Sequence, residues 1–329
     1  MAATSGSVSA DAASAARAVV ARRWHAIDPL LPEPSEPAVT CGADLTVTSA
    51  DGRVVAAGSC RHVSLKPGSV ELAWGAGSQF ALTPWVAGPD VGEALSQLIA
   101  RWHRHLVRQP EAADTDSAAV IRWPSRDIDG VRALLEHGLR PLTVIAARLA
   151  GRRIPEAGTR PHRLRIRAAG SGDLAAVERV LMEMMRYDAH FGAVQVRADT
   201  ARAVRESAAR TLAMADPWMW LAEREGKVVG VLDADPPATA SWIQPAVRQH
   251  PVAYLGQMSV LPGARGAGVG TALVEHLHRE VDALGVPVTL LHHAQLNPLS
   301  APFWSQMGYR PLWTSWEVRP AAASLVSRP

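Results

Sequence analysis

Residues 265–270 form the segment of this sequence that is best suited to bind a ligand. The segment reads Arg265-Gly-Ala-Gly-Val-Gly270 and follows an apolar run, 252–261, that is typical of a strand. Because glycine lacks a Cβ, such a segment can turn sharply and leave several backbone N–H groups pointing outward. A helix that begins directly behind it adds partial positive charge. This combination suits a diphosphate group.

Two other phosphate-binding patterns fit the glycine spacing poorly. A dinucleotide fingerprint has the spacing G-x-G-x-x-G, followed about 20 residues later by an acidic residue at the end of the next strand. Here the spacing is G-x-G-x-G, and the next apolar run ends in Leu291-His-His-Ala294. A P-loop requires Gly-Lys-Ser/Thr, which this segment does not contain. An ordinary glycine-rich turn between a strand and a helix is the simplest alternative.

Two motifs together resemble the GNAT acetyltransferase superfamily. The first is Val260-Leu-Pro262 followed by Arg265-x-x-Gly268-x-Gly270, which is similar to the acetyl-CoA motif of that family. In the second, a strand-like run is followed by Asn297 and then by a helix that ends in Gly308-Tyr309. The resemblance covers about 164 to 318. It implies an α/β fold whose mixed, splayed β-sheet is flanked by helices.

The resemblance also implies an activity, the direct transfer of an acetyl group from acetyl-CoA to a primary amine in a ternary complex. The pantetheine arm would pair with the strand around Met258 and Val260, and Asn297 would lie beside it. The pyrophosphate would be held by Arg265, Gly266, Ala267, Gly268, Val269, Gly270 and Thr271. Acetyl-CoA is therefore the expected cosubstrate, with no metal. The alternative is a regulatory protein that binds acyl-CoA without turnover.

The motifs leave the catalytic side chains open. Trp304 stands where many family members carry a tyrosine that protonates the leaving thiolate, and an indole N–H only donates hydrogen bonds. The run 252–261 contains no Asp or Glu, so a carboxylate base is missing there. The candidate catalytic residues are therefore Tyr254, His292 and His293, with Gln257 as a further polar neighbour. Because adjacent strand residues point to opposite faces, we expect one histidine to face the acceptor cleft and the other to pack under a helix.

Apolar periodicity predicts the helices that position these residues. Leucine and valine share one helical face after the glycine segment, at Val269, Leu273, Leu277, Val281 and Leu284. A second helix begins near Asp173, after a strand that starts at Leu164. Tyr187, His190 and Phe191 follow that helix, in the region that shapes acceptor pockets in the family. Tyr309 is expected to pack where the last helix closes.

Three short matches recur in the same order in both halves of the chain, at offsets of 170 to 178 residues. They pair Asp51–Ala56 with Glu225–Gly230, Val91–Leu95 with Val269–Leu273, and Gly138–Leu142 with Gly308–Leu312. This order predicts the duplication of one domain. The expected domains are a degenerate GNAT-like domain without a cofactor site, 1–152, and a GNAT acetyltransferase domain, 163–329.

The first copy has lost the features of the phosphate loop. The segment Ala87-Gly-Pro-Asp-Val-Gly92 aligns with 265–270, and it lacks the arginine. Pro89 removes a backbone donor, and Asp90 introduces a carboxylate where a diphosphate would sit. Asp127 stands opposite Asn297. We therefore expect the first copy to support the second one or to shape its acceptor cleft.

Composition and charge indicate the class of protein. The net charge is +3, but the basic residues are dispersed, which argues against a nucleic-acid partner. No apolar run reaches about 18 residues and the N-terminus lacks a signal-peptide pattern, so no membrane partner is expected. Two cysteines, Cys41 and Cys60, are too few for a disulfide framework and favour a cytoplasmic location. The expected partner is a small-molecule or peptide amine, and the chain is compatible with a homodimer.

Overall fold

The computed structural model describes residues 10–35, 45–152 and 164–323, which divide into two compact units. Unit 1 is drawn from Met1–Ser64, Ala76–Pro141 and Trp313–Pro329. Unit 2 consists of Leu65–Gly75 and Leu142–Leu312. Most of the linker predicted at 151–162 lies outside the described residues, so the domain boundary placed there stays a prediction.

The described residues contain eleven strands and seven α-helices. The strands are β1 (Thr46–Thr48), β2 (Val54–Ser64), β3 (Ser78–Val86), β4 (Ser117–Pro124), β5 (Arg140–Leu149), β6 (Leu164–Ala168), β7 (Met219–Arg224), β8 (Lys227–Asp235), β9 (Val252–Val260), β10 (Val288–Ala294) and β11 (Arg310–Val318). The α-helices are α1 (Ala10–Ile27), α2 (Val91–Leu106), α3 (Val131–Glu136), α4 (Leu174–Ala189), α5 (Thr200–Leu212), α6 (Val269–Ala283) and α7 (Ser300–Gln306). None of these helices is long and apolar enough to span a bilayer.

Unit 1 contains a mixed sheet with the strand order β1-β2-β3-β4-β11. The first three strands pair antiparallel, β3 and β4 pair parallel, and β4 pairs antiparallel with 313–318 of β11. Helix α2 packs on β2 and β3 and buries Leu95, Leu98 and Trp102 completely. Cys60 of β2 is buried and disulfide-bonded, although the low cysteine count predicts no disulfide framework; Cys41 lies outside the described residues.

Unit 2 contains a mixed set of six strands in the order β5-β10-β9-β8-β7-β6. Strands β6 to β9 pair antiparallel, β9 and β10 pair parallel, and β10 pairs antiparallel with 143–149 of β5. The mixed α/β fold predicted from the sequence is confirmed. In each unit the last strand comes from the other half of the sequence, β11 in unit 1 and β5 in unit 2, which the sequence patterns did not predict.

Helix α6 buries the face that its apolar spacing predicts. Val269, Leu273, Leu277 and Val281 are each at most 1% exposed and pack on the sheet of unit 2. The assignment of Leu284 to this face was wrong, because the helix ends at Ala283 and Leu284 is 58% exposed. The chain then turns toward β10.

A segment from the first half of the sequence, 65–75, belongs to unit 2. It contains a 3-10 helix, Val70–Trp74, whose Ala73 is buried in the same apolar cluster as α4 and α5. The Arg197 guanidinium donates hydrogen bonds to the carbonyls of Leu72 and Gly75, and the backbone N–H of Gln195 donates to Ala73 O at 2.9 Å. These bonds fix the segment in unit 2.

Candidate functional site

Strands β9 and β10 separate partway along their length. Their parallel pairing runs from Val252 opposite Val288 to Leu255 opposite Leu291, and it ends there. Beyond this point β9 continues to Val260 paired with β8, and β10 continues to Ala294 paired with β5. Within the described ranges, no strand pairs with the β10 side of β9 after Leu255. Its backbone there is free to pair with an extended ligand, as the resemblance implies.

A β-bulge lies where the two strands separate. Asp233 of β8 pairs with Gln257 and Ala234 pairs with Leu255, which leaves Gly256 as the extra residue on β9. Asp233 and Asp235 are two residues apart and therefore share one face of β8. The bulge brings this acidic pair to the point of separation.

A cleft of about 1970 Å³ opens between the separated strands, and all of its lining residues belong to unit 2. Its walls include 254–260 of β9, the 264–271 segment and the acidic pair of β8. The remaining wall is formed by side chains from β10, α4, α7, the 3-10 helix at 70–74 and the loop after β8: Glu71, Trp74, Met184, Tyr187, Asp188, Trp242, His292, His293, Asn297 and Phe303. Every residue predicted for the cofactor or for catalysis borders this cleft.

The glycine segment turns into α6 as its sequence predicts. Gly266 and Gly268 have φ of 72° and 73°, a left-handed conformation that favours glycine. The backbone N–H of Ala272 donates to Gly268 O at 3.0 Å, so the N–H groups of 269–271 have no acceptor inside the helix. A Cβ built on Gly266 would meet no atom within 4 Å, which leaves the approach to the loop open. This cradle fits a diphosphate in its donors, its dipole and its space.

Arg265 connects the loop to α4. Its Nε donates to the carbonyl of Val260 at 3.0 Å, and its guanidinium lies 3.6 Å from Glu183 and 4.9 Å from the ring centroid of Tyr187. A second arginine, Arg224, donates to the carbonyl of Gly263 at 3.3 Å. Two arginine side chains therefore border the loop end of the cleft, and Glu183 lies beside one of them.

Asn297 makes a similar connection from the other side. Its Nδ2 donates to Asp188 Oδ1 at 2.7 Å, and its own Oδ1 accepts from the backbone N–H of Leu299 at 2.9 Å. Asn297 is 5% exposed, and burial raises the pKa of the Asp188 carboxyl. The amide thus holds the end of α4 against the segment after β10.

Three aromatic side chains form a cluster at the end of the cleft away from the loop. The Tyr254 hydroxyl and Nδ1 of His292 share a hydrogen bond of 2.9 Å. The Trp242 ring lies edge-on to Tyr254 at 4.7 Å and nearly parallel to His292 at 6.3 Å. Burial and the charges of Asp233 and Asp235 raise the pKa of Tyr254, so its hydroxyl keeps its proton.

The two histidines have different surroundings. His292 is half-buried and contacts the aromatic cluster. His293 is 9% exposed, and its Nδ1 hydrogen-bonds to the backbone carbonyl of Ala294 at 3.1 Å. Burial lowers the pKa of His293, which keeps this ring neutral near pH 7.

Asp233 is the residue that sequence reasoning missed. Burial, reinforced by the charge of Asp235, raises the pKa of Asp233 to about 7, while the backbone N–H of Gln257 opposes the shift. Its Oδ1 is shielded from solvent and has no hydrogen-bond donor among the described residues. A carboxyl group with such a pKa can take up and release a proton at neutral pH. β9 contains no carboxylate, whereas Asp233-Ala-Asp235 ends the apolar run of β8.

Trp304 of α7 and Tyr309 after it belong to the buried apolar cluster of unit 2. Trp304 is 7% exposed and its ring packs against Phe303 and Tyr309. Tyr309 is 3% exposed and its hydroxyl shares a hydrogen bond of 3.1 Å with His278 Nε2. The expectation that Tyr309 is a packing residue is met.

Residues 185–309 match the family model described as the acetyltransferase (GNAT) family. A GCN5-related N-acetyltransferase from Sphaerobacter thermophilus is similar over 95% of this chain and 94% of its own, with 16% identity and a TM-score of 0.58. A GCN5-related N-acetyltransferase from Kribbella flavida is similar over 92% of this chain and 94% of its own, with 13% identity and a TM-score of 0.43. PaiA N-acetyltransferase from Thermoplasma acidophilum, in complex with coenzyme A, is similar over 47% of this chain and 98% of its own, with 12% identity and a TM-score of 0.37. No curated protein matches the chain. The matched residues, which lie within unit 2, are thus similar to the acetyltransferase (GNAT) family.

Proposed function

We propose that unit 2 transfers an acetyl group from acetyl-CoA to a primary amine of a small molecule or peptide. One observation carries the proposal. The cleft joins a helix N-terminus suited to a diphosphate with a carboxyl group, Asp233, that exchanges a proton near pH 7. The GNAT family match over 185–309 supports the same reaction class.

The residues of the cleft fit acetyl-CoA in two places. The pyrophosphate would be held by the N–H groups of 266–271, and Arg265 would add positive charge there. The pantetheine arm would follow the free edge of β9 past Met258 and Val260, with Asn297 bordering the same cleft. When bound, acetyl-CoA supplies the thioester carbonyl that the amine attacks.

The side chains at the end of the cleft away from the loop would remove the proton of the amine and donate hydrogen bonds to the reacting groups. An amine must lose a proton before it can attack, and we assign Asp233 as the base that accepts this proton. Tyr254 keeps its own proton and is oriented by His292, so it serves as a hydrogen-bond donor toward the reacting groups. His293 is neutral and is held by the backbone, so it supports the wall of the cleft.

We also propose that the first half is a degenerate copy of the same domain, with boundaries at 1–152 and 163–329. In unit 1 the Asp90 side chain accepts a hydrogen bond of 2.9 Å from Glu93 N, so a carboxylate already caps α2. Asp127, which aligns with Asn297, is buried and ion-paired with Arg23. These contacts support the proposal that the corresponding residues of the first copy stabilise its own fold and do not bind a ligand.

A thiol-release assay with acetyl-CoA and a panel of amines tests the proposal, together with calorimetry of acetyl-CoA binding. We expect binding and turnover of at least one amine, and a loss of at least 100-fold in kcat/KM for Asp233→Asn. Binding without turnover of any amine would favour the alternative, an acyl-CoA-binding regulator. Failure to bind acetyl-CoA would overturn both interpretations.

A further inference from the structure

We propose that the acceptor is an amine with a second positive charge, which Asp235 and Trp242 hold while the attacking nitrogen meets Asp233. This inference rests on the proposed acetyl transfer and specifies its substrate class. It depends on the spacing of the two carboxylates, on the lack of a cationic partner for either one among the described residues, and on the aromatic surface beside them.

The two carboxylates are placed for two separate cations. Asp233 and Asp235 share one face of β8, and a strand rises about 3.3 Å per residue, so their Cα atoms lie roughly 6.6 Å apart. The Trp242 indole N–H donates to Asp235 Oδ2 at 3.2 Å and orients that carboxylate. The spacing suits an amine whose second ammonium group lies a few carbons from the first.

Neither Asp233 nor Asp235 has a basic partner in the part of the chain that the structure describes. Among the described residues, no Lys, Arg or His nitrogen lies within 4.0 Å of a carboxylate oxygen of Asp233 or Asp235. The arginines that border the cleft, Arg224 and Arg265, bond to Gly263 and Val260 at the loop end. Two arginines thus border the end of the cleft where a diphosphate would bind, and two carboxyl groups border the end where an amine would bind.

The aromatic surface beside Asp235 strengthens the match to a cation. Trp242 is 54% exposed although it lines a cleft, and its ring is braced by Tyr254. An ammonium group over an indole face gains attraction from the ring quadrupole in addition to the carboxylate. Glu71 and Trp74 of the 65–75 segment border the same cleft and add a further acidic and aromatic pair.

The test compares 1,4-diaminobutane with 1-aminobutane, which share a carbon chain and differ in one charge. Binding of each amine to the full chain is measured by calorimetry in the presence of coenzyme A, and kcat/KM is measured with acetyl-CoA. We expect the diamine to bind at least tenfold more tightly and to have a kcat/KM at least tenfold higher. In Asp235→Asn the two amines should differ by no more than about threefold in affinity and in kcat/KM.

Two further variants sharpen this comparison. Trp242→Leu should reduce the diamine preference in the same direction by a smaller factor, whereas Asp216→Asn should leave it unchanged because Asp216 is exposed and lies outside the cleft lining. Equal binding of the two amines by the wild-type protein would overturn the inference, as would an undiminished ratio in Asp235→Asn. A diamine preference in binding with no turnover of either amine would support the binding of a dication by Asp235 and Trp242, and it would count against the proposed acetyl transfer.

Discussion

Gly256 lies directly against the carboxyl group of Asp233, and a Cβ atom built on Gly256 would stand 3.1 Å from Asp233 Oδ2. Gly256 is also the extra residue of the bulge between β8 and β9. The bulge therefore does two things at one position. It places the carboxyl group where β9 and β10 separate, and it leaves that group room on the β9 side.

Gly256→Ala should reduce activity more than stability. The added methyl group would displace the Asp233 carboxyl by a few tenths of an ångström, and small displacements at a reacting centre cost large rate factors. We expect kcat/KM to fall at least tenfold, while the free energy of unfolding changes by only about 1 kcal/mol. The control is Gly263→Ala, where a Cβ meets nothing within 4 Å and activity should stay within twofold. Equal activity of the two variants would contradict the role of the bulge.

The activity should depend on pH through Asp233. A base acts in its deprotonated form, and the pKa of Asp233 is raised to about 7. We therefore expect kcat/KM for the best amine of the panel to rise as pH increases from 6 to 8, with a break near 7. Asp233→Asn should lose both the activity and the break. A profile in the wild-type protein that stays flat across this range would assign the base to another group.

Asp233→Asn should also change stability with a defined sign. The folded-state pKa lies above the ordinary value of 3.8, so the native state binds this proton more tightly than the unfolded chain does. Wild-type stability therefore falls as pH rises from about 4 to about 7. Asparagine cannot ionise, so we expect the variant to be more stable than wild type at pH 8, by about 1–3 kcal/mol, and this gap to narrow at pH 5. Urea unfolding at both pH values measures this difference in stability. A variant less stable than wild type at pH 8 would contradict the raised pKa of Asp233.

Substitutions at the N-termini of α6 and α2 should affect acetyl-CoA binding differently. Gly268→Asp places a negative charge at a left-handed residue of the cradle, and we expect acetyl-CoA to bind at least tenfold more weakly. Gly268→Asn is the control for backbone strain, because asparagine is uncharged and tolerates the left-handed conformation. We expect it to weaken acetyl-CoA binding less than Gly268→Asp does. Asp90→Ala should leave binding nearly unchanged and cost about 1 kcal/mol of stability, because Asp90 caps α2. Calorimetry that shows weaker binding only in Asp90→Ala would assign the ligand to unit 1.

Local periodicity was sufficient to predict the elements that carry the cofactor loop. The strand at 252–260 and the helix from Val269 are encoded by short-range apolar spacing, and the glycine segment by its own composition. These features need no knowledge of distant residues. The cradle of the candidate site could therefore be located from the sequence.

The acidic end of the site could not be located in this way, because it depends on how distant strands pair. Asp233 meets Gln257 only through a register that shifts at Gly256. The 65–75 segment is held beside the cleft because Arg197, more than 100 residues later in the chain, donates hydrogen bonds to its carbonyls. An acidic pair at i and i+2 at the end of an apolar strand was the signal available in the sequence.

The origin of β5 makes the predicted boundary at 163 testable. In unit 2, β10 pairs along 288–294 with 143–149 of β5, so a chain of residues 164–329 would leave that edge of β10 unpaired. We expect it to be less soluble than a chain of residues 140–329, which retains β5, and to unfold at lower urea concentration. Hydrogen exchange at 288–294 should be faster in the shorter chain. If the two chains were equally soluble, equally stable and equally protected, then β5 would be dispensable and the domain could be separated at 163.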